Sequence, residues 1–230
     1  MADRQVPEAL DIAEEVGSSR SFAWVVDWPG WCRGGRDRVQ LPALLAAAAA
    51  RYAPAAREAG LAFVPDPASL TAADFRLVET VTGSASTDFG VPGSVAELDR
   101  LPLDGREAAR QAGLVRAAWA VLDRVVAGAP TELRKGPRGG GRDRDRMVAH
   151  CVASDSAYAG QIGIRMKEPA WDDRAAIEAL RAAILDVLGQ ASDGNPLGGR
   201  KWPARYAARR IAWHSLDHAW EIEDKSDPAG

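Results

Sequence analysis

From residue 105 to residue 225, apolar residues recur every three or four positions in four stretches separated by loops of glycine, proline and charged residues. That period marks helices with one buried face and leaves the second half of the chain little room for any other structure. The first stretch, GREAARQAGLVRAAWAVLDRVVAG, sets Leu114, Ala118, Leu122 and Val125 on one stripe. The second, DRDRMVAHCVASDSAYAGQIGI, has Asp143 as its expected N-cap. The third, WDDRAAIEALRAAILDVLGQ, buries Ile177, Leu180, Ile184 and Leu188. The fourth, PARYAARRIAWHSLDHAWEIEDK, has Pro203 at its first turn, where a proline costs no hydrogen bond. Four consecutive helices predict an all-α, up-down four-helix bundle over 95–226.

The first half reads differently. ALDIAEEV and SFAWVVDW are expected to be strands joined at GSSR, and DFRLVETVTG a third strand. PGWCRGG is turn chemistry, and a helix is expected from about Asp37 through RVQLPALLAAAAARYA, ended or kinked by Pro54. Residues 1–88 therefore form a small ββαβ-like α+β module. The Gly-, Ser- and Pro-rich segment GSASTDFGVPGS places the domain boundary between it and the bundle.

Composition narrows the classes. At 47% apolar and 27% charged residues the chain is that of a soluble globular protein, and a net charge of −3 gives no reason to expect nucleic acid or an anionic membrane as partner. No apolar run reaches membrane-spanning length, and the N-terminus has no signal-peptide core, so a cytoplasmic location is expected. Cys32 and Cys151 fit a reducing compartment. A small molecule is the expected partner, with a homodimer left open.

The chain has three histidines. His214 and His218 are four residues apart on the fourth helix and project from one face, near enough to grip one ion. His150 lies on the second helix. Facing helices converge side chains on a bundle core, where such folds build metal sites. Three neutral imidazoles suit Zn²⁺, Ni²⁺ or Fe²⁺ and leave a position for water or substrate. Ser215 follows His214 where a zinc protease helix would need glutamate. Inert, hydrogen-bonded histidines are the alternative.

One histidine on the second helix and His-x-x-x-His on the fourth resembles the DinB/YfiT-like superfamily over roughly residues 95–225. That resemblance implies a divalent metal held by His150, His214 and His218. The implied activity is a thiol S-transferase or thiol-dependent isomerase, with a low-molecular-weight thiol as co-substrate. The N-terminal stretch WVVDWPGWCRGGRDRVQLPALLAAAAARYA is similar to the ββαβ module of HicB-type antitoxins. It has no helix-turn-helix beside it, which implies a structural or lid role. The alternative function is a non-catalytic binding or regulatory protein, antitoxin-derived, with a structural metal or none.

Other residues are candidates around this centre. Glu221, three residues after His218, is a candidate general base or fourth ligand, although pairing with Arg210 or Lys225 in a solvated charge run is the simpler reading. Ser154 could orient a ligand imidazole or bond its own helix backbone. Asp155 is turned about 140° from His150 and is expected to be exposed, while Cys151, turned about 100°, is expected to be neither ligand nor nucleophile. The loop LRKGPRGGGRDRDR is a candidate anion clamp through Arg134, Lys135, Arg138 and Arg142; a solvated connector is the alternative. Trp213 and Trp220 flank the histidine pair and are candidates for the walls of an apolar pocket, though core or interdomain contact is the commoner use. Trp24, Trp28 and Trp31 are expected to pack against the bundle.

Overall fold

A computed structural model describes residues 9–64, 66–136 and 141–226. The protein is α+β: a four-stranded mixed sheet followed by helices. Strands β1 (Leu10–Val16), β2 (Ser21–Val25) and β3 (Cys32–Gly35) form an antiparallel meander, with Ile12 opposite Val25 and Trp24 opposite Cys32. Helix α1 (Leu41–Glu58) then returns the chain to β4 (Phe75–Thr82), which pairs parallel to β1 and completes the order β3-β2-β1-β4.

Two readings of this half need correction. The segment expected to be only turn contains β3. Its glycines are what conceal it: a Cβ on Gly34 would fall 2.4 Å from the Phe22 ring, so a side chain is excluded where strand geometry is kept. Pro54 does not end α1, which continues to Glu58. The flanking residues Tyr52, Ala55 and Ala56 are buried, and this packing holds the helix together across the missing amide.

The helices of the second half fall close to their expected limits: α3 (Gly105–Gly128), α4 (Arg144–Gln161), α5 (Arg174–Leu188) and α6 (Ala204–Ser226). Helix α3 packs on α1, α5 and α6, and α4 packs on α5 and α6. Asp104 and Asp173 cap α3 and α5 through their side chains. Asp143 stands at the N-cap of α4, but its carboxylate instead pairs with Lys135 and accepts from the Leu133 amide at 3.3 Å.

The segment between the halves is built into the sheet. It contains a short helix, α2 (Ala85–Phe89), closed by a capping box between Ser84 and Thr87. Glu15 of β1 is fully buried and accepts from the Thr87 hydroxyl and from the amides of Gly93 (3.1 Å) and Ser94 (2.9 Å). Glu79 of β4 accepts from the amides of Glu97 (2.6 Å) and Leu98 (2.9 Å). Helix α6 lies directly on the β2–β3 turn: Gly30 has φ +95°, and a Cβ there would meet Leu216 at 2.9 Å. One apolar core accordingly runs from Val25, Trp31 and Tyr52 to Leu114, Trp119 and Leu216. Among the described residues, no helix is long and apolar enough to cross a membrane.

Candidate functional site

Helix α4 carries His150 and α6 carries His214 and His218. The packing of the two helices brings one ring nitrogen of each histidine to within 4.8 Å of the others. His150 Nε2 and His214 Nε2 are 3.2 Å apart. Two nitrogens bound to one tetrahedral zinc at about 2.0–2.1 Å would stand about 3.3 Å apart, so this spacing suits two ligands of one ion. His218 donates or accepts through Nδ1 to Glu221 Oε2 at 3.0 Å, which leaves its Nε2 for a cation.

The electrostatics favour lone pairs over protons. Burial, reinforced by the charge of His218 and of Arg142, lowers the His150 pKa to about 4. His214 is lowered well below the usual imidazole range, again first by burial. Both rings are neutral at pH 7, so each has one ring nitrogen with a lone pair to offer. His214 Nδ1 is buried without a hydrogen-bond partner among the described residues, so none of them fixes its proton. A divalent ion fits this donor set. Glu221 is held down at about 2, chiefly by its hydrogen bond to His218 and then by Lys225, and is a carboxylate throughout the neutral range.

Aromatic residues absent from the sequence reading line the His214 side. The Tyr158 ring of α4 stands edge-on to His214 at 5.6 Å and lies 5.1 Å from Trp202, just before α6. Tyr158 follows His150 by eight residues, about two turns along and about 80° round the helix, at the edge of the same broad face, and that spacing was the available signal. Trp213 stands edge-on to His214 at 6.1 Å, yet it and Trp220 are packed mainly against other surroundings. Trp213 is buried edge-on to Phe22 of the sheet at 6.0 Å, and Trp220 lies beneath the guanidinium groups of Arg33 and Arg51. Trp24 joins Trp213 in the same cluster, while Trp31 stacks on Tyr52 in the main core.

Most of the basic loop is occupied elsewhere. Arg134 donates to the Asp224 carbonyl at 2.6 Å and Lys135 pairs with Asp143. Arg138 lies outside the described residues. Arg142 is exposed, and its charge reaches both His150 and His214. Ser154 makes no hydrogen bond to a histidine. Asp155 is a correction: it points away from the histidines as expected, yet it is 2% exposed, because α5 covers the far side of α4. Burial raises its pKa to about 7 despite Arg181 at 3.9 Å. Cys151 is buried and lines a cleft of about 210 Å³ with residues of α3 and α5, away from the histidine cluster, and burial pushes its thiol pKa upward.

Comparison with models of known families, with characterised proteins and with solved structures finds no match for this chain.

Proposed function

We propose that the protein is a metal-dependent enzyme of the DinB-like type, its last four long helices forming an up-down bundle around a three-histidine metal centre. Its reaction is thiol S-transfer or thiol-dependent isomerisation of a small electrophile. The observation that carries this reading is the convergence of three imidazole nitrogens within 4.8 Å from two helices, with two of the rings held neutral by burial. A divalent metal bound there would keep a thiol ionised at neutral pH. His150 and His214 offer Nε2, and Glu221 fixes the His218 ring by accepting its Nδ1–H, leaving Nε2 as the ligand atom. In this reading Glu221 is a positioning residue. Tyr158 and Trp202 exclude water from one side of the centre, and Arg142 makes its surroundings electropositive.

The test is metal retention. Untagged protein incubated with excess Zn²⁺ or Ni²⁺ and desalted should hold about one equivalent by elemental analysis, and a metal-free result removes the reading. Because the free His150 titrates near 4, protons should compete only weakly at pH 6. Retention should therefore fall with decreasing pH later than it would for three exposed imidazoles, because burial keeps protons off His150 and His214. A metal that exchanges its remaining ligand with added thiol supports catalysis, whereas a fourth protein ligand closing the site would make it structural.

A further inference from the structure

Arg210 sits on α6 one turn before His214 and is 7% exposed. Its guanidinium forms no ion pair with a described residue, and its Nη1 is buried without a hydrogen-bond partner. The adjacent Arg209 shows how this fold treats a structural arginine. Asp99 grips it with bonds of 2.8 and 2.7 Å, and the Ser94 carbonyl accepts a third at 2.8 Å. Arg210 has instead two ring faces, Tyr158 at 5.1 Å and Trp213 at 4.7 Å. Cation–π attraction offsets only part of what it costs to bury an unpaired charge.

No described neighbour supplies the missing negative charge. Cys32 and Arg209 share with Arg210 a cavity of about 10 Å³ under the sheet, room for one water at most. Burial holds the Cys32 thiol at about 12 and the Tyr158 hydroxyl at about 12, so both are neutral. Arg142 adds a second positive charge on the histidine side. The Tyr158 ring lies against both Arg210 and His214, so the cation and the imidazoles share one aromatic wall.

We propose that Arg210 is an anion-binding residue of the histidine site, taking the carboxylate of a small ligand whose other end lies at the three imidazoles. This deepens the function proposed above and rests on it for the second end only. One helical turn is about 5.4 Å, so the ligand is short: a thiol or electrophile bearing a carboxylate two or three bonds away. Arginine meets such a group with two parallel N–H donors.

The probes are 3-mercaptopropionate and its uncharged amide, titrated into Co²⁺-loaded protein and followed by the metal's absorption spectrum. Wild type should bind the acid about tenfold more tightly than the amide. Arg210→Met should abolish that preference without weakening Co²⁺ or amide binding, because it removes a positive charge whose field reaches His214. In metal-free protein, propionate but not propionamide should raise the melting temperature of wild type, and neither should raise that of Arg210→Met. Equal affinity for acid and amide in wild type, or a preference that survives in Arg210→Met, overturns the proposal. If Co²⁺ does not bind, the metal reading fails and the metal-free comparison alone decides the anion reading. If Arg210→Met does not fold, the wild-type ratio decides, and Arg210→Lys, which keeps the charge and loses the fork, should shrink the ratio.

Discussion

His218 is the histidine whose orientation the structure explains best. Its Nδ1 is fixed by Glu221, which is itself held by Lys225 one turn further on. Partners of this kind tune metal affinity by about tenfold to a hundredfold. Glu221→Ala should weaken Zn²⁺ binding by that factor, measured by competition with a chromophoric chelator. His218→Ala should weaken it further, and equal loss in the two variants would place Glu221 among the ligands. Asp155 gives a pH signature of its own. Its folded pKa of about 7 lies above the unfolded value of about 3.9, so between those values the folded protein keeps a proton that the unfolded chain has released. This contribution to stability is full below pH 4 and is lost as the pH rises through 7. Asparagine does not titrate. The melting temperature of Asp155→Asn relative to wild type should therefore climb from pH 4 to pH 7 and then level off. A difference independent of pH would show that the carboxyl is not perturbed.

At the scale of elements, the centre depends on how α4 and α6 pack. Helix α6 brings two of the three histidines to one face by its own periodicity, whereas His150 arrives only through the α4–α6 contact. An ion at the three rings would staple α4 to α6. Excess Zn²⁺ should slow amide hydrogen exchange in α4 more than in α3, which offers no ligand. His150→Ala should abolish that protection and weaken binding as much as His214→Ala does. Protection that persists in His150→Ala would mean that only the local pair on α6 binds. The strands show the opposite limit of local reading. Strand β3 is glycine-rich because Phe22 packs over it, so its propensity is poor while its pairing with β2 is complete. In α1, burial of Tyr52 and Ala56 prevails over the local penalty of Pro54.

At the scale of the molecule, the expected boundary between residues 83 and 97 joins surfaces that share one core. Glu15 and Glu79 bind its backbone, Gly30 admits α6 against the β2–β3 turn, and Trp213 inserts among Phe22, Trp24 and Cys32. A fragment beginning near Ser94 contains all three histidines and all four long helices of the second half, and by sequence it should fold and bind metal. The packing reverses that expectation. Removing the sheet and α1 uncovers Trp213, Trp220 and the apolar face of α3. Aromatic side chains bury about 150–250 Å² each, and at about 25 cal/mol per Å² the loss reaches several kcal/mol, comparable to a domain's whole stability. The fragment should be poorly soluble or molten by near-ultraviolet circular dichroism. A fragment with a cooperative melt and wild-type Zn²⁺ affinity would show that the boundary is real.

The sequence by itself determined what depends on short-range periodicity. The buried stripes of α3 and α5, the limits of the four long helices and the shared face of His214 and His218 all follow from 3.6 residues per turn, which needs no knowledge of distant partners. The tertiary structure decided what depends on which face meets which. Asp155 was placed correctly in rotation, but whether that direction led to solvent depended on α5. Trp213 and Trp220 stood beside the histidines in sequence and were claimed by the sheet and by the guanidinium groups of Arg33 and Arg51. Arg210 was a candidate partner for Glu221 by sequence, but Lys225 takes that role, and the closing of Tyr158 and Trp213 over Arg210 leaves a buried cation with no counter-ion among the described residues. Burial and pairing are properties of the space between elements, set by residues far apart along the chain.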